Sequence, residues 1–294
     1  MYNGKREQRN VARFWSAGDD GAVRCELCPR RCHIAENGVG ACGARVNCGA
    51  ELVAGAYGLV TSISIDPIEK KPLYMFHPGT HILSIGSYGC NFRCPFCQNS
   101  NISIEYADAR RASRILPPDD LAALAVQTES RGNIGVAYTY NEPLINYEYV
   151  RDCAEAVRRE GLKNVLVTNG CINSEPLAEL LPYIDAMNID LKAFTHDFYK
   201  KIGGSLDAVL ETITASRERC HVEITTLVIP GENDDDIQEI AAWLASIDPS
   251  IPLHLSRFFP RYRYSDRTPT PRETILRLQE TAQSHLKHVF AGNM

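Results

Sequence analysis

Three cysteines fall within eight residues, at Cys90, Cys94 and Cys97, in the order Cys-Asn-Phe-Arg-Cys-Pro-Phe-Cys. Three thiolates at this spacing can bind a cubane [4Fe-4S] cluster, which has four irons and normally takes four ligands. One iron would then lack a protein ligand, and an open metal position lets an exogenous molecule coordinate there. The alternative is a zinc knuckle or half of a ferredoxin site, but no fourth ligand follows nearby. The spacing therefore favours a reactive iron–sulfur centre.

A second group of cysteines lies nearer the amino terminus, where four thiols follow the spacing C-x2-C-x3-C-x9-C. Four thiolates close a metal site, so this group could hold either structural Zn²⁺ or a second iron–sulfur cluster. Zinc would stabilise a short segment with little core of its own, whereas a cluster could bind substrate or relay an electron. The spacing does not choose between them, and free thiols are a third alternative. The group comprises Cys25, Cys28, Cys32 and Cys42, with Cys48 as a candidate fifth ligand.

The composition is that of a globular chain. Its 294 residues are 44% hydrophobic and 23% charged, and 31 basic against 36 acidic residues give a net charge of −5. This balance does not favour nucleic acid as a partner, and no apolar run approaches the roughly 18 residues that a membrane-spanning helix needs. With no apolar signal region at its start, the chain is predicted to be cytoplasmic. Because cytoplasmic thiols stay reduced, we interpret Cys153, Cys171 and Cys220, which stand alone, as small core residues.

The elements that must position these cysteines follow from the hydrophobic pattern. From about residue 80 onward, short apolar runs alternate with longer amphipathic ones, as in repeated βα units around a parallel sheet. Six right-handed units predict an α/β fold with a partial (β/α)6 TIM-type barrel, with ligands bound at the carboxyl ends of its strands. The predicted barrel strands are residues 82–87, 134–138, 164–167, 186–190, 222–229 and 253–256, with a terminal strand at 289–291.

The chain is predicted to have two parts. Residues 1–80 form an N-terminal cysteine-rich metal-binding region, and residues 81–294 form the barrel. Within the first part only residues 59–65, which are mostly β-branched and apolar, predict a strand. In the second part, Asn233 follows the fifth barrel strand and is predicted to cap the next helix.

The CxxxCxxC loop after the first barrel strand resembles that of the radical S-adenosylmethionine (radical SAM) superfamily, and the likeness extends over residues 80–294. In that family the open iron chelates the amino and carboxylate groups of SAM. One electron from the cluster then cleaves SAM to methionine and a 5′-deoxyadenosyl radical. The resemblance implies these cofactors here, with Phe96 packing near the adenine, although an ordinary core aromatic would look the same. Gln98, next to Cys97, is also expected to contact the cofactor.

Further segments resemble enzymes similar to the pyruvate formate-lyase activating enzyme. Residues 135–143 stand where that family has a GGE-P turn; here Tyr140 and Asn141 replace the glycines and Glu142 is kept. The resemblance implies that Glu142 accepts the SAM ammonium and that Asn141 helps to position SAM. The alternative is an exposed strand-to-helix turn, in which Pro143 starts the helix.

Two more segments carry this resemblance, Thr168-Asn169-Gly170 after the third strand and Asp190-Leu191-Lys192 after the fourth. They match the family's TNG and DxK motifs, which implies that Thr168, Asn169, Asp190 and Lys192 contact SAM. Lys192 is placed to meet a carboxylate. The alternatives are a common turn for the first segment and a surface pair between Asp190 and Lys192 for the second.

Two positions depart from the activating-enzyme pattern. Val167 stands where an aspartate before TNG helps to hold a cation, so the expectation of a monovalent-cation site is not carried over. Phe259 occupies the place of a histidine near SAM, and His254, five positions earlier, is interpreted as an inward barrel residue.

A resemblance that spans nearly the whole chain is to the radical SAM member of the AmmeMemoRadiSam system. It implies genomic association with two other protein families and supplies no substrate. The segments that carry it are residues 25–32, 40–43, 97–99, 138–143, 188–192 and 292–293.

These observations together predict a radical SAM enzyme whose 5′-deoxyadenosyl radical removes a hydrogen atom from an unreactive C–H bond. The substrate is expected to be a protein or peptide, with a small molecule enclosed by the barrel as the alternative. A flavodoxin or ferredoxin is the expected electron donor. The alternative from a different functional class is a noncatalytic metal-binding module.

Overall fold

The computed structural model describes residues 10–294. In chain order the strands are β1 (Trp15–Ala17), β2 (Val23–Cys25), β3 (His33–Ile34), β4 (Arg45–Asn47), β5 (Leu52–Ala54), β6 (Leu59–Val60), β7 (Ser62–Pro67), β8 (His81–Gly86), β9 (Arg114–Ile115), β10 (Asn133–Tyr138), β11 (Lys163–Thr168), β12 (Ala186–Asp190), β13 (His221–Val228), β14 (Leu253–Arg257) and β15 (Val289–Gly292). The α-helices are α1 (Ser100–Ser103), α2 (Ala107–Ala112), α3 (Pro118–Gln127), α4 (Tyr147–Arg159), α5 (Ser174–Leu180), α6 (His196–Ile202), α7 (Leu206–Arg217), α8 (Ile237–Ile247) and α9 (Arg272–Gln283).

An eight-stranded sheet forms the centre of the molecule, in the order β15-β14-β13-β12-β11-β10-β8-β7. All neighbours are parallel except β7, which pairs antiparallel with β8 at one edge. The six inner strands, β8 and β10–β14, are mostly buried because helices cover the sheet, as their apolar runs require, whereas the edge strands β7 and β15 are more exposed. This confirms the predicted α/β fold with a partial barrel. The six predicted strands correspond to β8 and β10–β14, and the terminal one to β15.

The cysteine-rich N-terminal segment is built from short antiparallel strands. β1, β2 and β3 form one sheet, and β4 pairs with β5. A buried ion pair joins this segment to the barrel, with Nη1 of Arg45 lying 2.7 Å from Oε2 of Glu148 in α4. The strand predicted over residues 59–65 is divided into β6 and β7. Because β7 is the edge strand of the barrel sheet, the sheet extends across the domain boundary predicted at residue 80.

Residues 68–76 close the amino end of the barrel. Ile68 and Leu73 are fully buried against apolar residues of β8, β10, β11 and β12. The backbone N–H groups of Tyr74 and Met75 donate to the carboxylate of Glu223, which lies near the start of β13. His254, which was interpreted as an inward residue, is buried, and its Nε2 lies 2.6 Å from Glu223.

Membrane insertion through a helix has no support in residues 10–294, where no helix is both long and apolar enough to cross a bilayer.

Candidate functional site

The loop after β8 carries the CxxxCxxC cysteines. Cys94 is buried, and Cys90 and Cys97 are partly buried. Burial raises the pKa of all three thiols, to about 12 for Cys94, and the neighbouring Cys94 and Cys97 raise that of Cys90 further. Metal ligation requires thiolates, so these thiols would bind through the positive charge of a metal centre that offsets their burial. Three adjacent thiols on one loop fit the three-thiolate ligand set of a cluster.

Arg93 gives this loop its shape. Its guanidinium donates hydrogen bonds to the carbonyls of Cys90 at 2.7 Å and Phe92 at 2.9 Å, and also to that of Ala41 in the N-terminal segment. Sequence reasoning did not single out Arg93. Its position inside the cysteine motif was the available signal, since a guanidinium offers five donors to the carbonyls of a tight loop.

Glu142 follows β10 and turns its carboxylate inward, with an exposed fraction of 2%. Oε1 accepts from Leu144 N at 2.9 Å and from Thr168 Oγ1 at 2.6 Å, and Oε2 accepts from Asn169 N at 2.8 Å. Burial outweighs these three hydrogen bonds and raises the pKa of Glu142 to about 7. The turn that carries it is made with Tyr140 at φ 71°, in the left-handed region that glycine adopts freely.

Asn141 and Asn169 face the cysteine loop. The side-chain amide of Asn141 accepts from Ser87 N at 2.9 Å and donates to the carbonyl of Gly89 at 3.0 Å. That of Asn169 donates to Asn91 Oδ1 at 2.8 Å and approaches Cys90 Sγ at 3.7 Å. Both residues therefore brace the loop, and Thr168 braces Glu142.

Asp190 and Lys192 form an ion pair after β12, with Nζ of Lys192 lying 3.1 Å from Oδ2 of Asp190. Despite its own burial, Lys192 has a pKa above its usual range because Asp190 and Cys94 lie close by. Its backbone is held at both ends, since its N–H donates to Tyr199 Oη at 3.1 Å and its carbonyl accepts from Asn233 Nδ2 at 2.5 Å. The ammonium is thus fixed next to the cysteine loop.

Asn233 lies at the N-cap position of the 3-10 helix Asp234–Asp236 that precedes α8, but the predicted side-chain capping bond is absent. Besides Lys192, its side chain contacts the carbonyl of Leu227 and the N–H of Ile229. An amide next to a strand end can satisfy several backbone groups, and here those needs outweigh the helix terminus. Asn233 is consequently a supporting residue of the site that sequence reasoning assigned to another role.

Phe96 and Gln98 lie on the outer part of the loop. Phe96 is buried, with ring centroids of Phe198 and Tyr264 at 6.1 and 6.0 Å. Gln98 donates through Nε2 to the carbonyl of Phe259 at 3.2 Å. These contacts link the cysteine loop to α6 and to the segment after β14.

The four N-terminal cysteines of the C-x2-C-x3-C-x9-C pattern lie together. They line one small enclosed cavity, whose wall also includes Arg30, Arg45 and Asn91. Cys48 does not line it, and its N–H donates to the carbonyl of Glu51. Within residues 10–294, no group of three or more His, Cys, Asp or Glu side chains is arranged to hold a single metal ion, which is a different geometry from that of a cluster whose ligands bind separate irons. This holds for both cysteine groups, so it does not distinguish them.

The chain shares sequence with radical SAM enzymes. The family model described as "Radical SAM superfamily" matches residues 84–244. An uncharacterized protein of Methanocaldococcus jannaschii, MJ0808, is 41% identical over 289 residues, which cover 96% of this chain and 85% of that protein. The pyruvate formate-lyase 1-activating enzyme of Escherichia coli is 28% identical over 152 residues, covering 50% of this chain and 61% of the enzyme. A GTP 3′,8-cyclase of Peptoclostridium acidaminophilum is 30% identical over 184 residues, covering 60% and 54%.

Solved structures give the same fold. QueE from Escherichia coli has a TM-score of 0.50 at 14% identity, covering 81% of this chain and 95% of its own. Streptococcus suis SuiB bound to S-adenosylmethionine has a TM-score of 0.52 at 15% identity, covering 70% and 48%. The two enzymes matched by sequence are spanned for little more than half their length. The family model, which matches more than half of the chain, shows that this chain belongs to the radical SAM superfamily.

Proposed function

We propose that this protein cleaves SAM reductively and uses the resulting radical to take a hydrogen atom from a protein or peptide. The observation that carries the proposal is the convergence of three thiols, the Glu142 carboxylate and the Lys192 ammonium at the carboxyl ends of β8, β10 and β12. Cys90, Cys94 and Cys97 would hold a [4Fe-4S] cluster, which, when bound, supplies the electron that breaks the S–C5′ bond of SAM. The chain's own residues bind and orient the reactants.

Glu142 is suited to bind the α-ammonium of SAM. Its carboxylate is buried with one hydroxyl and two backbone N–H donors and, among residues 10–294, no cation, so burial raises its pKa. A carboxylate has about four acceptor positions, so three hydrogen bonds leave one open. An arriving ammonium would fill that position and supply the missing positive charge.

Lys192 is suited to bind the α-carboxylate of SAM. Its ammonium has three donors, and Asp190 is the partner that the structure gives it. A second carboxylate can share the same ammonium without breaking this pair. Asp190 would then keep Lys192 charged and aimed at the cysteine loop, while Tyr199 and Asn233 hold its backbone in place.

Two relatives point to different substrates. The activating enzyme of Escherichia coli is named for a protein that it activates, and this likeness supports a protein or peptide substrate. The GTP 3′,8-cyclase is named for a nucleotide, and its likeness supports the second candidate, radical chemistry on a small molecule inside the barrel. The two candidates share the SAM site and differ only in what fills the rest of the barrel.

The test begins with anaerobic reconstitution and reduction by dithionite. Methionine and 5′-deoxyadenosine, quantified by mass spectrometry, should form in equal amounts with the wild-type protein. Alanine at Cys90, Cys94 or Cys97 should remove the activity, whereas Cys220→Ala, a cysteine outside both groups, should retain it. Undiminished cleavage in the three loop variants would refute the assignment.

The substrate class can be separated with deuterium. The wild-type protein is incubated with SAM and either the perdeuterated protein fraction or the perdeuterated small-molecule fraction of cells of its source organism. Deuterium in 5′-deoxyadenosine from the protein fraction supports the first candidate. Deuterium from the small-molecule fraction alone would replace it with the second.

A further inference from the structure

We propose that Cys25, Cys28, Cys32 and Cys42 hold a second iron–sulfur cluster, and that the electron for SAM cleavage enters through it. The inference rests on the proposed function, because it concerns how that reaction receives its electron. It is carried by three observations: an unsatisfied buried donor among the four thiols, a direct backbone contact with the first catalytic cysteine, and an outer edge that reaches the surface.

The four thiols surround a cavity whose wall includes a buried guanidinium, which favours an anionic ligand. Arg45 lines it with an exposed fraction of 1%, and its Nε is buried without a hydrogen-bond partner. Its other nitrogens are used, since Nη1 pairs with Glu148 and Nη2 donates to the carbonyl of Arg13. A buried N–H without a partner costs about 1–3 kcal/mol, so it marks a place where an acceptor is expected. The sulfurs of a thiolate-bound cluster are such acceptors.

The thiol site is in contact with the catalytic loop through the backbone. Cys90 N donates to the carbonyl of Cys42 at 3.1 Å, so one hydrogen bond separates a ligand of one site from a ligand of the other. Gly89 permits this approach, since a Cβ there would lie 2.3 Å from that carbonyl oxygen. The path from Cys42 to Cys90 therefore consists of covalent bonds and one hydrogen bond. Such a path suits electron transfer between two clusters.

Asn91 makes a second connection. It lines the cavity of the four thiols, and its Oδ1 accepts from Asn169, whose amide also approaches Cys90 Sγ. Its Nδ2 donates to the carbonyl of Cys171, a buried residue of the loop after β11. A residue next to a catalytic cysteine therefore forms part of the wall of the N-terminal site. A merely structural zinc site would need no such contact.

The N-terminal site has an inner and an outer edge. Cys25 and Cys42 are buried, whereas Cys28 and Cys32 are partly exposed and flank the exposed Arg30 and Arg31. Arg30 and Arg31 place two positive charges beside these two cysteines, on a chain whose net charge is −5. An acidic one-electron carrier protein fits this edge by charge. The inner edge, at Cys42, is the one that contacts Cys90.

The proposed relay consists of two successive one-electron transfers. A low-potential carrier is oxidised by one electron and the N-terminal cluster is reduced. That cluster then returns to its oxidised state as the catalytic cluster is reduced. No bond forms or breaks and no proton moves before SAM is cleaved.

The first experiment determines the metals in the full-length protein reconstituted anaerobically. About eight irons and two electron paramagnetic resonance signals are expected, of which one changes when SAM is added. The variant Cys28→Ala/Cys32→Ala should retain about four irons and the signal that responds to SAM. About four irons with one zinc in the wild-type protein would overturn the inference, while SAM cleavage would still support the proposed function.

The second experiment measures reduction of the catalytic cluster by freeze-quench spectroscopy of the signal that responds to SAM. With a reduced flavodoxin or ferredoxin as donor, the double cysteine variant should be reduced at least about tenfold more slowly, and Arg31→Glu should slow the step in a salt-dependent way. Arg277→Glu, on the exposed face of α9, is the matched control and should leave the rate unchanged. Equal rates in all four proteins would refute the relay.

The Arg31→Glu variant also keeps the test decisive if the double cysteine variant does not fold. Arg31 lies between Cys28 and Cys32 in the chain, but its side chain is exposed and is not a metal ligand, so the metal content of this variant should equal that of the wild type. If the wild type shows neither a signal that responds to SAM nor SAM cleavage, the proposed function itself fails. That outcome differs from every outcome that rejects only the N-terminal cluster.

Discussion

Two glutamates, one at each end of the barrel, have almost no exposed surface, and their pKa values are shifted in opposite directions. Glu223, near the amino ends of the strands, accepts hydrogen bonds from two histidines and two backbone N–H groups. These outweigh its burial and lower its pKa to about 2. Glu142, at the carboxyl ends, has three donors, and burial raises its pKa to about 7.

The difference lies in which partners the protein supplies. At the amino end the two imidazoles and the backbone of residues 74–75 complete the acceptor positions of Glu223, so a charged carboxylate is stabilised by the fold alone. At the carboxyl end no cation within residues 10–294 pairs with Glu142. A buried carboxylate without a cation is costly, and such a group is expected where a ligand brings the opposite charge. The amino end of the barrel, which we call the closed end, therefore has its buried carboxylate fully paired and contributes stability. At the carboxyl end, which we call the open end, the buried carboxylate can still bind a cationic ligand.

The largest expected effect is at the closed end. Replacing Glu223 with alanine leaves two histidines and two backbone N–H groups without an acceptor and should lower the free energy of unfolding by about 3–5 kcal/mol. Chemical denaturation measures this loss, with Glu273→Ala on the exposed face of α9 as the control. A loss below about 1 kcal/mol would mean that residues 68–76 do not depend on this carboxylate.

The same variant has a pH signature. Because the folded state lowers the pKa of Glu223 from 4.5 to about 2, its ionised form stabilises the protein above pH 4.5. That contribution is lost as the pH falls through about 2, so the stability difference between wild type and variant should shrink in acid. A difference that grows in acid would contradict this assignment.

The next effect, at the open end, concerns binding. Glu142→Gln keeps the shape of the side chain and removes the charge, so SAM should bind about 10–100-fold more weakly, the value of one charged hydrogen bond. The amide nitrogen of glutamine cannot accept, so one backbone N–H loses its acceptor and the free energy of unfolding should fall by about 1–3 kcal/mol. Calorimetric titration of the reconstituted wild type and variant with SAM measures this change in affinity. Equal affinity of the two proteins would mean that the SAM ammonium binds elsewhere.

These contrasts show which features sequence patterns can provide. The apolar periodicity gave the six barrel strands, and the cysteine spacing identified one loop, because both signals are local in the chain. The partners of Glu223 come from residues 74, 75, 221 and 254, and Cys42 contacts Cys90 from another segment. Such contacts arise from topology, and no local period encodes them.

The supporting amides illustrate the same limit. Asn141 and Asn169 are predicted to position SAM because they lie in family motifs, and that prediction stands beside a second role that no motif indicated, the bonds of their amide groups to the cysteine loop. Asn233 was assigned to a helix cap, a local role, whereas its bond to the Lys192 carbonyl spans 41 residues. A sequence motif can predict that a residue follows the end of a strand. Which neighbouring group that residue contacts depends on the packing of the fold.

A smaller effect at the open end is the pH dependence of SAM binding. With a pKa of about 7, Glu142 is half protonated at neutral pH, and the protonated form cannot pair with an ammonium. Affinity should therefore fall about fivefold between pH 7 and pH 6 as the ionised fraction decreases. Glu142→Gln should show no such decrease. An equal decrease in the variant would assign the titration to another group.

The smallest effect tests whether the two ends are coupled. Tyr140, in the turn before Glu142, donates its hydroxyl to Asp66 Oδ2 at 2.7 Å, and Asp66 also pairs with the buried Lys71 at 2.8 Å, in the segment that closes the amino end. Tyr140→Phe removes one hydrogen bond while Lys71 still satisfies Asp66, so the free energy of unfolding should fall by about 1 kcal/mol. SAM affinity should stay within about twofold, since Glu142 keeps all three of its donors. A loss of affinity as large as that of Glu142→Gln would show that the closed end positions the open one, and the division between them would no longer hold.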